Sequence, residues 1–221
     1  MIHKTSGLLL ALSLVLVAGC SNQSPRAIEW LPGERTITHA SPAYNLSNPN
    51  LVAADSDYVL VVRVEKYVRT RYPDSKLVPQ TDYDVTILEV IKGNLEAGQK
   101  IPITKNGGIA KNRGYYGFYY NDDFMPEVGE VYVFLVSVDP DGKTLSVMGP
   151  HGTVPLESSI VADLNSIEKS KGLNKQELIS KSLQKSEVFA KYVAAAENRD
   201  TDKKVPSFIR DRERHKSIYE K

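Results

Sequence analysis

The sequence predicts a mainly β protein with C-terminal helices: a small antiparallel barrel followed by one or two packed helices. Three observations predict it. Five short apolar runs, alternating with period two or continuously apolar, follow one another between residues 57 and 148. Turn residues separate them, and most of the gaps show no helical spacing. One run slips in phase by a single residue, which is what a β-bulge produces, and bulges bend sheets enough to close small barrels. From Ile160 onward the apolar positions recur instead at three- and four-residue intervals, the spacing of an amphipathic helix.

With 221 residues the chain has room for one substantial domain plus appendages. Met1-Ile2-His3-Lys4 gives a short positive start. Leu8 to Ala18 is then an apolar run of signal-peptide length, short of the ~20 residues a membrane-spanning helix needs. The run ends in Val17-Ala18-Gly19-Cys20, which resembles a bacterial lipobox. The resemblance implies cleavage between Gly19 and Cys20, removal of residues 1–19, and a lipid on the thiol of Cys20. Cys20 is the only cysteine in the chain, so no other side chain could take a thioether-linked lipid. The alternative is an ordinary secretory signal with a cysteine at its end. Each buried acyl methylene contributes ~0.8 kcal/mol, so two or three chains hold a protein firmly to a bilayer. The expected location is extracytoplasmic, lipid-anchored to the cell membrane. Ser21, not Asp, follows Cys20, so the resemblance to lipoprotein sorting signals implies the outer membrane if the source has two.

Residues 20–52 carry Pro25, Pro32, Pro42 and Pro49 among Asn and Ser, with few periodic apolar positions. They read as the lipidated N-terminus and a tether. Residues 53–156 read as the barrel. Tyr58 to Val64 begins as a continuous apolar run and resolves into alternation with Leu60, Val62 and Val64 inward. Tyr83, Val85 and Ile87 alternate, and the phase slips to Leu88 and Val90 before Lys92-Gly93. Ile101 and Ile103 mark a third strand. Val131 to Val138 is the most apolar, and Asp139-Pro140-Asp141-Gly142 turns it into Leu145 to Met148. These spacings predict a barrel of the oligonucleotide/oligosaccharide-binding (OB) type, with Val85, Ile87, Val133 and Leu135 buried. Residues 157–198 read as a helical extension. Ile160, Val161, Leu164 and Ile167 share one face, and Asn174 with Glu177 resembles a capping box. Ile179, Leu183, Phe189, Tyr192, Val193 and Ala196 then continue a stripe that is expected to pack on the barrel, the alternative being a partner helix. Residues 199–221 mix basic and acidic side chains and read as a solvated tail.

Four stretches carry a family resemblance. They are Ala54-Asp55-Ser56-Asp57-Tyr58-Val59-Leu60-Val61-Val62-Arg63-Val64, Tyr83-Asp84-Val85-Thr86-Ile87-Leu88-Glu89-Val90-Ile91-Lys92-Gly93, Gly129-Glu130-Val131-Tyr132-Val133-Phe134-Leu135 and Asp141-Gly142-Lys143-Thr144-Leu145. In order and spacing they resemble the netrin-like modules, a group that includes the N-terminal domains of tissue inhibitors of metalloproteinases. The resemblance implies an OB-like (netrin-like) barrel. Two departures limit it. The animal modules are stapled by disulfides, which a chain with one cysteine cannot form. The inhibitors reach a protease zinc through a free N-terminal cysteine amine, whereas Cys20 is expected to be acylated and lies some thirty residues before the first strand.

Composition excludes several functions. Lys+Arg 28 against Asp+Glu 27 leaves +1, too little for nucleic-acid attraction to dominate, so no nucleic-acid partner is expected. A single cysteine excludes a multi-thiolate metal site. His3, His39, His151 and His215 lie far apart in sequence, and no Gly-x-Ser-x-Gly elbow or complete phosphate loop occurs. No metal and no cofactor are therefore expected. One segment stands out, with Tyr115, Tyr116, Phe118, Tyr119 and Tyr120 crowded among glycines. Rigid aromatic faces suit recognition of an envelope protein or glycan, although such rings could instead cap an open end of the barrel. The sequence thus reads as a membrane-anchored lipoprotein with a non-catalytic binding or scaffolding barrel. The alternative is an enzyme acting on an envelope polymer, with Asp122 or Asp123 facing Glu127 at the ~5–10 Å that glycosidic hydrolysis needs.

Overall fold

The computed structural model describes residues 35–37, 48–73, 78–109, 116–118, 123–140, 142–170 and 174–197. The expected cleavage site Gly19-Cys20 and the charged tail lie outside them. So do Tyr115, Tyr119, Tyr120 and Asp122.

Strand β1 (Arg35–Ile37) and helix α1 (Pro49–Asp55) precede the barrel. The barrel strands are β2 (Tyr58–Arg71), β3 (Gln80–Lys92), β4 (Lys100–Asn106), β7 (Val131–Val138) and β8 (Leu145–Val147). Between β4 and β7 an insert carries β5 (Gly108–Ile109) and β6 (Tyr116–Phe118). After β8 a 3-10 turn (Pro150–Gly152) leads to β9 (Thr153–Pro155), which continues along β7. Helices α2 (Ser158–Lys169), α3 (Lys175–Leu183) and α4 (Glu187–Glu197) follow.

The protein is mainly β with C-terminal helices, and the barrel is closed. Its ring runs β2-β3-β4-β8-β7 and returns to β2 through the β2–β7 pairing. Four of the five seams are antiparallel. The β4–β8 seam is parallel, through Thr104↔Ser146 and Lys105↔Val147. This departs from an all-antiparallel barrel for a topological reason: strand direction cannot alternate around a ring with an odd number of members.

Two cores lie on the two sides of the barrel wall. Inside are Leu60, Val62, Val64, Tyr83, Val85, Ile87, Ile101, Ile103, Tyr132, Phe134 and Val136. Outside, Val59, Val61, Val131, Val133 and Leu135 pack under the helices against Leu156, Ile160, Leu164, Leu183 and Tyr192. Both faces of β7 are thereby apolar-covered, which explains its unbroken apolar sequence. Val85, Ile87, Val133 and Leu135 are all fully buried, the first two inside the barrel and the last two beneath the helices.

The phase slip in β3 is a bulge. Val61 pairs with Glu89 and Val62 with Ile87, leaving Leu88 without a partner on β2. Ile87 points into the barrel core and Leu88 into the outer core. A second shift skips Ile91, so Val90 returns to the barrel side and Ile91 joins the outer core. Gly93 ends the strand at φ +109, where a Cβ would stand 2.2 Å from the Tyr58 ring, so the turn requires glycine.

Charged side chains stitch the helices to this wall. Lys92 Nζ donates to the carbonyls of Ala53, Ala54 and Ser56 at the C-terminal end of α1, at 3.0, 2.9 and 2.5 Å. Arg63, buried on β2, pairs with Glu168 and donates to Asn165 on α2. Gln176 of α3 donates to the Leu88 carbonyl at the bulge, and Ser180 to Glu89.

Three local expectations are revised. The fold begins ahead of residue 53, because α1 places Val52 and Ala53 in the outer core. The helical stripe after Asn174 is two helices, so three follow the barrel. Ser186 starts α4 by accepting the Phe189 N–H on its hydroxyl, which also donates to Glu157. The capping box at Asn174 does not form. Its side chain makes no bond to the helix backbone, and Glu177 pairs with Lys181 at 2.5 Å.

Two outcomes follow. Leu135→Ala removes a fully buried side chain from under the helices and is expected to cost ~2–5 kcal/mol in urea unfolding; an unchanged midpoint would remove β7 from its central place. Glu157 accepts the Val188 N–H at 3.0 Å and the Ser186 hydroxyl at 2.6 Å. Burial opposes its charge, but these bonds outweigh burial and hold its carboxyl below the ordinary 4.5. A depressed folded-state pKa means the stabilisation is complete above about pH 4.5 and fades as pH falls through the folded value. Glu157→Gln should therefore lower the unfolding midpoint at pH 7, and the gap from wild type should close as the solution is acidified toward pH 3.

Candidate functional site

The barrel end where β4 leaves and β7 returns gathers most of the chemistry. Ile101 and Ile103 of β4 face the barrel core, and Lys105 shares their phase. A lysine at an inward strand position needs a buried partner. It finds Asp123 at 2.7 Å, the two side chains only 1% and 4% exposed. Asp123 also accepts the Phe124 N–H at 2.9 Å. Met125 follows into the barrel core with Phe124 packed against it. Residues 123–125 therefore plug this end with one ion pair and one thioether side chain.

Tyr132 lines the same end. Its ring stacks on Phe134 at 5.8 Å and meets Phe124 at 6.2 Å. Its hydroxyl accepts the Glu127 N–H at 3.0 Å. Burial, opposed by that N–H and helped by the charges of Glu127 and Glu130, pushes the phenol up to about 12. It stays protonated throughout the physiological range.

The insert leaves β4 tightly. Gly108 adopts φ +142, and a Cβ there would come within 2.4 Å of Thr81 Oγ1. Thr81 donates to the Gly107 carbonyl at 2.8 Å, and Gln80 to Asn106 at 3.0 Å. β5, β6 and β1 then form a second small sheet in the order β1-β6-β5. Tyr72 ties it to the end of β2, its hydroxyl donating to the Ile109 carbonyl at 2.8 Å. The expected binding segment enters the described structure only through β6, which carries Tyr116 and Phe118 along its backbone.

On the outer face of the β2–β3 hairpin, Arg71 grips Asp82 with Nε and Nη2, both at 2.8 Å. Arg69 adds a third contact at 3.0 Å and the Thr104 hydroxyl a fourth at 2.8 Å. Burial alone would raise the Asp82 carboxyl, but these donors and the Arg71 charge hold it below its ordinary value. It remains an anion between two cations.

The enzyme alternative required Asp122 or Asp123 opposite Glu127. Asp122 is outside the described residues, and Asp123 turns inward to Lys105 while Glu127 is exposed. The structure thus gives Asp123 a partner other than Glu127. Among the described residues no group of three or more His, Cys, Asp and Glu is placed to hold a metal ion, and no helix is long and apolar enough to cross a membrane. The Lys105–Asp123 pair escaped the sequence reading, although its signal was present: a lysine in phase with Ile101 and Ile103.

Lys105→Met strands a buried carboxylate and should cost ~3–5 kcal/mol in urea unfolding, whereas Lys105→Met with Asp123→Leu should recover most of that loss. Equal losses in the single and double variants would show that the charge pairing is not what seats the plug. In comparison with known proteins, no family model matches this chain, and no curated protein matches it.

Proposed function

We propose that this chain is a membrane-anchored extracytoplasmic lipoprotein whose netrin-like barrel acts as a non-catalytic binding or scaffolding module at the cell envelope. The observation that carries the reading is the position of Cys20, the only thiol, at the end of an apolar run of signal-peptide length. Residues 21–48 then separate the anchor point from α1, enough chain to hold a domain clear of a bilayer surface. A closed five-stranded barrel is also what the resemblance to netrin-like modules implies. The bilayer is the first partner, through acylated Cys20. An envelope protein or glycan is the second, through the aromatic segment 115–120. Support for that segment is its position: β6 belongs to a small sheet tied to the barrel's plugged end.

Fatty-acid labelling followed by mass spectrometry of the N-terminal peptide tests the anchor. The wild-type chain should carry label on Cys20 and sediment with membranes, and Cys20→Ser should lose both. A mature N-terminus elsewhere, or an unmodified Cys20, overturns the reading. For the aromatic segment, Tyr116→Ser with Tyr119→Ser should reduce retention of envelope partners or glycans while leaving the unfolding midpoint in place. Lost stability with unchanged retention would assign the rings to the core.

A further inference from the structure

Strand β6 carries Tyr116 and Phe118, the described part of the aromatic segment, and holds the middle place in the small sheet β1-β6-β5. Its two neighbours come from different parts of the chain. β5 is fixed to the barrel: the Gly107 N–H donates to the Pro79 carbonyl at 2.7 Å, the Thr81 and Tyr72 hydroxyls donate to the Gly107 and Ile109 carbonyls, and Ile109 packs against the inner core. Among the described residues β5 meets β6 only at Gly108↔Gly117 and Ile109↔Tyr116. β1 comes from the tether and runs parallel to β6 along its whole length, at Arg35↔Tyr116, Thr36↔Gly117 and Ile37↔Phe118. The longer of the two ladders that hold β6 is therefore the one made by the tether.

A strand held on one side by a two-residue ladder is marginal in water, and small sheets need a third strand to persist. Here the third strand is supplied by residues that the sequence reads as linker. What keeps β1 at hand is α1, which is firmly seated: Val52 and Ala53 are fully buried in the outer core, and Lys92 grips the last carbonyls of the helix. Residues 38–48 join β1 to that helix, and so short a connection keeps the entropic cost of closing β1 onto β6 low. β1 itself spans three residues at the edge of its sheet. Its release from β6 leaves every pairing of the barrel and the seat of α1 in place.

We propose that β1 is a releasable strap through which the tether orders the aromatic strand. Docked, β1 completes the sheet around β6 and is the first place where the chain, read from Cys20, meets the module. Residues 21–34 then set the reach from the anchor, at most ~50 Å when fully extended. Released, β1 leaves β6 on its two-residue ladder, and α1 becomes the first attachment. Residues 21–48 then set the reach, at most ~100 Å. One short pairing thus links how far the module stands from its anchor to whether β6 is ordered. The reach rests on the reading of Cys20 as the lipid anchor; the ordering of β6 by β1 does not.

The test is hydrogen exchange read by mass spectrometry over residues 116–118, on the full chain in detergent. Successive N–H groups of a strand point to opposite edges, so of Thr36→Pro and Ile37→Pro one removes a donor to β6 and the other removes a donor from the outer edge of the sheet. One of the two variants, and not the other, should speed exchange over 116–118 by about fivefold, the effect of losing one hydrogen bond. Exchange in β2 and β3 and the urea midpoint should stay at the wild-type values. Thr36→Ala and Ile37→Ala keep both N–H groups and should exchange as wild type does. Equal responses to the two prolines, no response to either, or faster exchange in β2 and β3 overturns the proposal. The same comparison in Cys20→Ser separates it from the anchor reading: the difference between the prolines should persist there, and its disappearance also overturns the proposal, whereas an unlabelled Cys20 in the wild-type chain overturns the anchor alone.

Discussion

Strand β7 is buried on both faces, and the rest of the molecule is arranged around that condition. Tyr132, Phe134 and Val136 close the barrel interior, while Val131, Val133 and Leu135 form the floor on which the helices sit. The five-stranded barrel, with β9 alongside β7, could not shield the second face of β7 from water by itself. The C-terminal helices and α1 are the cover, which is why a chain with a small barrel carries so much helix after it. Each fully buried Leu or Val contributes ~1.5–3 kcal/mol relative to exposure, so the two layers stabilise each other through shared strands.

The bulges in β3 let one strand serve both layers. A regular strand would send Leu88 and Ile91 wherever strict alternation dictated. With an extra residue at each position, Ile87 and Val90 stay in the barrel while Leu88 and Ile91 reach the outer core. The Leu88 carbonyl, unpaired on β2, becomes the acceptor for Gln176. A bulge that bends the barrel wall therefore also docks a helix, and one irregularity serves closure and cover together.

Much of this was legible in the sequence because period-two alternation reports which face of a strand is buried, whatever lies beyond it. The bulge at Leu88, the strand from Val131 to Val138 and the turn ending in Gly142 all follow from local pattern. What was not legible depends on partners distant in sequence. That Val133 lies outside the barrel and Val85 inside cannot be read from two apolar residues of equal character. The helix break at Ser186 is specified by Glu157, twenty-nine residues earlier, so periodicity alone runs straight through it. For the candidate site, the aromatic segment was conspicuous by composition. The pair Lys105–Asp123 was not, since neither residue is unusual until the fold brings them together.

That pair also explains why a charge is kept where an apolar residue would pack. A buried ion pair gains little stability over apolar replacements, but it tolerates only a partner in the right place. A one-residue shift of the returning insert that brought Phe124 to Lys105 would offer it a backbone in place of a carboxylate, leaving an ammonium buried and unmatched at a cost of several kcal/mol. Met125, flexible and apolar, could fill the barrel end in several registers; the charge pair excludes the one that brings Phe124 to Lys105. Because the insert also carries β6, fixing its return point limits where that strand can lie relative to the barrel. The interior lysine thus fixes the end of a long connection, holding Asp123 and Met125 inside the barrel.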